Sequence, residues 1–221
     1  EATRYLGEQL RIWNVKKINS LFLTHAHFGH VDGLGLFGRE TMNARGISLY
    51  CSEKMVDLIE RTPNWSILLS QGVFQTNTVK LVNLPGVSVE AIRVPHRAEL
   101  SDMHAYLIKA NKTLLFLPDH DSWHETLGDH NLRSWLNYLE VDIALIDGTF
   151  YTPDELKHRS QEEVPHPPVE QTLEMLGKKR EGDGRVVFIH LNHTNRLCRD
   201  DSPVTTMGWE VGNEGDIYNL T

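Results

Sequence analysis

Few cysteines, no long apolar run and no surplus of basic charge mark this sequence, and each shortage closes off a class of function. Cys51 and Cys198 are the only two cysteines in 221 residues, and neither lies in a CxxC pair. A disulfide framework is therefore excluded, and the context leans weakly toward a reducing compartment. No apolar stretch approaches the roughly 20 residues that a membrane span requires. Lys and Arg number 22 against 30 Asp and Glu, a formal net charge of −8. Nucleic-acid affinity comes mostly from clustered cations, so a broad phosphate-binding surface is not expected. The densest basic run, Lys178-Lys179-Arg180, reads as a solvated helix end. GxSxG is absent and neither cysteine has a histidine partner nearby in sequence, which removes support for a serine or cysteine nucleophile. No signal or transit peptide precedes Glu1, no internal repeat is visible, and the opening reads as mid-domain. The expectation is a single cytoplasmic domain over residues 1–221 that lacks an N-terminal part, acts on a small molecule and has no membrane partner. The sequence is silent on oligomeric state.

Histidine, by contrast, is plentiful: 12 residues, three of them within LFLTHAHFGHVDGLG at 21–35. Leu21, Phe22 and Leu23 make a short apolar run suited to a buried strand, and the polar cluster begins where that strand ends. His25 and His27, two residues apart in extended chain, share a face; Gly29 lets the chain turn so that His30 can return toward them. Neutral imidazole is the commonest ligand for zinc and also suits iron, so the trio is read as metal ligands. A His-rich surface loop is the alternative.

The remaining chain reads as alternating helices and strands. Residues 5–13 place Leu6, Leu10 and Trp13 on one helical face directed to the core, and residues 34–44 read as a helix ended by Gly46 before a strand at 47–50. Ser52 caps a helix over EKMVDLIER that ends near Thr62-Pro63, and NWSILLSQGVF continues as helix and turn. Short strands follow at VKLVNL, VSVEAIRV, HAYLIK and TLLFL, then a helix at 131–139, the strand VDIALID, a helix at 169–179 and the strand RVVFIHL. Two groups of strands with helices between them suggest an αββα sandwich. The proline-rich stretch 152–168 is the long irregular connection.

THAHFGHVDGL resembles the THxHxDHxxG signature of the metallo-β-lactamase fold superfamily, with Gly29 in place of the usual Asp. ATRYLGEQL, GRETMNARG, DGTFYTPDEL, EEVPHPPVEQTLEML and FIHLNHTN extend the likeness to the branch that includes pyrroloquinoline quinone biosynthesis protein B, over nearly the whole chain. The resemblance implies that His96, after AIRVP, Asp119, after LLFLP, and His190, after RVVFI, join His25, His27 and His30 as metal ligands. It also implies that a β-hairpin-rich segment comes first in relatives, and that Asp147, ending VDIALI, lies near the metals. In the superfamily the Asp missing at Gly29 usually serves a second metal. Read plainly, His96 could close a turn, Asp119 could cap the turn Asp121-Ser122-Trp123, and Asp147 could hold Thr149 or the Gly148 amide.

His193, with Asn and Thr neighbours able to set its tautomer, is the candidate general acid, with a structural loop role as its alternative. His166 is a pocket candidate by resemblance and a surface residue by sequence alone. His120 or Asp121 could support Asp119, Asp32 could hydrogen-bond a ligand histidine, and His104, His124, His130 and His158 are assigned to structure or solvent. The leading expectation is a metal-dependent hydrolase using metal-activated water on a phosphoester or acyl/lactone substrate, with Asp147 and His193 in catalytic roles. Zinc, one ion or two, is the expected cofactor, with iron or manganese as alternatives. The competing readings are a non-haem iron oxygenase like the quinone-biosynthesis branch and a non-catalytic metal-binding member.

Overall fold

The computed structural model describes residues 1–97, 99–156 and 163–221. Their contacts divide into two compact units: Glu1–Lys80 with Ala98–His104, and Leu81–Arg97 with Ala105–Thr221. His158 lies outside the described residues.

The first unit is built on a parallel sheet of β1 (Ser20–Phe22), β2 (Ile47–Cys51) and β3 (Phe74–Thr78), in that order. Parallel neighbours need crossovers, and helices supply them. α1 (Leu6–Trp13) precedes the sheet, α2 (Phe28–Val31) and a 3-10 stretch over Asp32–Phe37 lie between β1 and β2, and α3 (Glu53–Arg61) and α4 (Pro63–Ser70) lie between β2 and β3. Ser52 caps α3 as expected, accepting from the Met55 amide at 3.1 Å, and its hydroxyl donates to Asp102. Pro63 opens α4, where its missing N–H costs no helical hydrogen bond. Ile47, Leu49 and Cys51 alternate inward along β2 and pack with Met55, Ile59, Leu68 and Phe74.

Three expectations fail in this unit. No α-helix spans 34–44: helical backbone begins earlier, at Phe28, tightens into the 3-10 stretch and ends at Gly38, because three glycines (33, 35 and 38) weaken a regular helix. Trp13 is 67% exposed although Leu6 is buried and Leu10 packs on the core. The helix and turn expected over NWSILLSQGVF give way at Phe74 to β3, a strand with no sequence expectation beyond that residue; of FQTNT only Phe74 is buried, so its hydrophobic signal is one residue deep.

Gly33 marks a close approach of chain segments. Its amide donates to the Ala2 carbonyl at 2.8 Å, and a Cβ at this position would fall against the carbonyl oxygens of Thr3 and Ala2. Gly33→Ala should therefore destabilise the chain by about 1–3 kcal/mol, the usual cost of overpacking. Denaturant titration would show this as a lower midpoint with unchanged slope.

The second unit carries, apart from Met103 and His104 at the start of β6, a seven-stranded sheet in the order β10-β9-β8-β7-β6-β5-β4. Its strands are β4 (Leu81–Leu84), β5 (Val87–Val94), β6 (Met103–Lys109), β7 (Thr113–Leu117), β8 (Ile143–Asp147), β9 (Arg185–Ile189) and β10 (Glu210–Val211). β4 with β5 and β6 with β7 are antiparallel pairs, whereas β7, β8, β9 and β10 run parallel. α5 (Trp123–Leu127), α6 (Leu132–Tyr138), α7 (Val169–Leu176) and α8 (Ser202–Thr205) belong to the same unit. Asn131 caps α6 through the Ser134 amide, and buried Trp123 donates its indole N–H to Thr172 Oγ1 at 2.7 Å. Parallel strands deliver their carboxyl ends to one edge of a sheet, where α/β proteins commonly place their sites. Here Leu117 pairs with Ile146 and Asp147 with Ile189, so Asp119, Asp147 and His190 emerge together. No helix among the described residues is long and apolar enough to cross a membrane.

Candidate metal centre

At that edge of the second unit, ligand atoms of Asp119, Asp147 and His190 lie within 4.8 Å of one another. Asp119 Oδ1 is 3.3 Å from Nδ1 of both His166 and His190. Asp147 is a hub: its carboxylate accepts from His166 Nδ1 at 2.8 Å, from the Thr149 amide at 2.9 Å and from the His120 amide at 3.3 Å. The modest reading of Asp147 as a holder of Thr149 is thus true, alongside its contact with His166. Thr149 Oγ1 in turn meets His190 Nδ1 at 2.8 Å. His190 has a left-handed backbone, φ 62°, an uncommon conformation for a residue with a Cβ. The turn around it is fastened by Gly148 N–H to the Ile189 carbonyl at 2.8 Å and by Asn195 Nδ2 to the Gly148 carbonyl at 2.7 Å.

His96 sits past the end of β5 with its ring fully buried, and its Nδ1 meets Asp121 Oδ1 at 3.0 Å. Asp121 also accepts the Arg97 amide at 3.2 Å. Of the two residues flanking Asp119, Asp121 therefore supports a predicted ligand. His120 is fully buried against Trp123, with ring centroids 4.2 Å apart and its Nδ1 at Thr126 Oγ1. Burial lowers its pKa to about 4 despite the opposing pull of Asp147, so it is a neutral ring. Burial also opposes the ionised forms of His166 and Asp147, but their mutual attraction prevails. It raises the His166 pKa and lowers that of Asp147.

In the first unit the strand-end histidines do converge. His25 is buried, His25 Nε2 lies 2.9 Å from His27 Nδ1, and the His25 and His30 ring centroids are 4.2 Å apart. Each ring is also held by its other nitrogen. His25 Nδ1 meets Thr24 Oγ1 at 2.9 Å, His27 Nε2 meets Glu99 Oε2 at 3.2 Å, and His30 Nδ1 meets Glu1 Oε1 at 3.2 Å. Thr24 gives its one hydroxyl proton to the acceptor-only Glu1 carboxylate, so it accepts from His25 Nδ1–H. Burial opposes ionisation of Glu1, whereas the contacts with His30 and Thr24 favour its carboxylate form.

These contacts test the fit to a metal. In neutral imidazole one nitrogen carries the proton and the other a lone pair. With Nδ1 of His25 and Nε2 of His27 donating outward, lone pairs face each other across 2.9 Å, a repulsive pairing that a cation shared by both nitrogens resolves. His96, His166 and His190 show the same habit, with Nδ1 tied to Asp121, Asp147 and Thr149. Ligand histidines commonly hold a carboxylate or hydroxyl through the second nitrogen, so the donor set fits a transition-metal ion.

Some sequence readings require correction. His166, favoured as a surface residue by sequence alone, is buried at Asp147 and packs edge-on against Phe150. Its signal lay in the Pro-flanked VPHPPV, which fixes a loop without showing where the loop goes. His193 is exposed, and no hydrogen bond to its ring occurs among the described residues. Asn192 turns to Thr194 and Asn195 to Gly148, so the neighbours expected to set its tautomer are engaged elsewhere. Asp32 pairs with Arg4 at 2.7 Å instead of a ligand histidine. Asp119 does not cap α5; Ser122 does. Glu1, Thr24, Glu99 and Thr149 were missed as ring holders, because each except Thr24 is far in sequence from the histidine it touches. Gly29 lies within α2, and a Cβ there would meet no atom within 4 Å.

A model of the family described as the beta-lactamase superfamily domain matches residues 4–191. The chain is similar to coenzyme PQQ synthesis protein B of Methylococcus capsulatus, 24% identical over 231 aligned residues, which cover 90% of this chain and 72% of that protein. Among solved structures it resembles a diphosphatase from the PhnP family, with a TM-score of 0.67 and 19% identity over 97% of this chain and 76% of the other. It also resembles YhfI of Bacillus subtilis, a metallo-β-lactamase fold protein, with a TM-score of 0.66 and 14% identity over 97% and 83%. At such identities these likenesses establish the fold, which is the metallo-β-lactamase fold.

Proposed function

Because the chain belongs to the beta-lactamase superfamily, we propose that it is a metal-dependent hydrolase acting on a small phosphoester, acyl or lactone substrate. The observation that carries this reading is the set of histidines at 25, 27, 30, 96, 166 and 190, each tied back through one ring nitrogen. On this reading His25, His27 and His96 hold one ion and His30, Asp119 and His190 a second. Zinc is the expected ion, with iron and manganese as alternatives. Bound there, a divalent ion supplies water acidified toward neutrality and a Lewis acid for the scissile group. Gly29 leaves the second position with three protein ligands, a workable catalytic shell.

His166, not His193, carries the proton to the leaving group. Asp147 accepts its Nδ1–H, which fixes the ring and leaves Nε2 to exchange the proton. The likeness to a diphosphatase favours the phosphoester class. The likeness to a coenzyme PQQ synthesis protein over 90% of the chain favours a second reading, an oxygenation at non-haem iron held by the same histidines and carboxylate. Stripping the metal, reloading with zinc or iron, and assaying phosphodiester and lactone hydrolysis beside oxygen uptake separates the two. Hydrolysis without oxygen uptake is expected, and oxygen uptake without hydrolysis rejects the leading reading.

A further inference from the structure

We propose that Glu99 is a positioning residue for His27, fixing the tautomer in which Nδ1 is the ligand atom. The inference rests on the metal-binding reading above and extends it to a residue outside the ligand set. Glu99 Oε2 lies 3.2 Å from His27 Nε2, and a carboxylate can only accept, so Nε2 carries the proton and Nδ1 the lone pair. That lone pair points at His25 Nε2, 2.9 Å away, whose own tautomer is set independently by Thr24. Two separate outward bonds thus create one inward-facing pair of donor atoms.

Glu99 is not a freely wandering surface side chain. It opens a strap sewn to the histidine segment at two points, where Ser101 Oγ accepts from the Ala26 amide at 3.1 Å and the His104 amide donates to the Thr24 carbonyl at 3.1 Å, and to the start of α3, where Asp102 accepts from the Ser52 hydroxyl. The His27 and Glu99 side chains are 23% and 55% exposed, and ion pairs so open to solvent add little to folding stability. The contact's consequence is therefore to be sought in metal affinity, where the nitrogen that binds is set by the bond the other nitrogen makes.

The test is zinc affinity of the full chain, measured by competition with a chromophoric chelator, for wild type, Glu99→Ala, Glu99→Gln and His27→Ala. Loss of a partner of this kind costs about 10- to 100-fold in metal affinity, and that is the fall expected for Glu99→Ala, with the thermal midpoint of the metal-free protein unchanged. Glu99→Gln, whose amide oxygen still accepts from Nε2–H, should recover most of it. Wild-type affinity in Glu99→Ala, or an equal loss in Glu99→Gln, overturns the proposal. If His27→Ala also binds zinc like wild type, the metal-binding reading itself fails; if His27→Ala loses zinc while Glu99→Ala does not, only the role of Glu99 is lost.

Discussion

Replacing His25 and His27 together with alanine should give a folded chain that no longer retains metal through dialysis. Four-ligand structural zinc sites bind with about 10–16 kcal/mol, so one ligand carries roughly 3 kcal/mol and two carry roughly 6. At about 1.4 kcal/mol per factor of ten, affinity should fall on the order of 10⁴-fold. The fold should survive, because the hydrophobic cluster of the first unit, from Leu23 through Met55 to Phe74, does not include either ring. Thr24 also keeps its bond to Glu1. Elemental analysis of the dialysed protein reads the first effect and circular dichroism the second. A metal-to-protein ratio equal to wild type in a folded double variant would falsify the ligand assignment, and with it the hydrolase proposal.

Asp147→Asn should separate catalysis from metal loading. The carboxylate is buried and receives the His166 ring proton and two backbone amides. Asparagine keeps the shape but can accept through only one atom, so an NH₂ group would meet at least one of these donors. His166 would lose the charge that orients it, and hydrolysis should fall by about 10²- to 10⁴-fold, the usual contribution of a positioned acid or base. Leaving a buried donor unsatisfied should cost about 1–3 kcal/mol of stability. Zinc content is expected to stay within a few-fold of wild type, and unchanged turnover in a correctly folded variant would remove His166 from the mechanism.

The same pair gives the metal-free protein a pH signature. His166, raised above its ordinary 6.5, adds stability that is complete below that value and is lost as pH rises through its elevated pKa. Asp147, lowered beneath its ordinary 3.8, adds stability that is complete above that value and is lost as pH falls through its depressed pKa. Thermal midpoints should therefore peak between roughly pH 4 and 6.5 and decline on both sides. In Asp147→Asn the contribution of this pair to that peak should vanish.

Much of this was legible in the sequence where the cause is local. The Ser52 cap, Pro63 at the start of α4, and β5 and β7 as apolar runs between turns all depend on neighbours within a few residues. The strand-end positions of His25, Asp119, Asp147 and His190 were equally accessible, since a polar residue directly after an apolar strand is a local pattern. What stayed hidden depends on chain segments meeting. Glu99 reaches His27, Asp121 reaches His96 and Thr149 reaches His190 across sequence separations that no periodicity encodes. β3 escaped because an edge strand beside β2 needs only Phe74 inward. The helix expected over 34–44 failed because helix formers between the glycines could not offset their backbone freedom.

The left-handed backbone of His190 carries its own implication. A side chain in that conformation costs on the order of 1–3 kcal/mol that glycine would not incur. Residue 190 therefore fits the turn poorly, and the imidazole is tolerated there despite the local geometry. The most stable version of this chain and the most active one need not be the same sequence, and the position where they diverge lies one residue beyond β9.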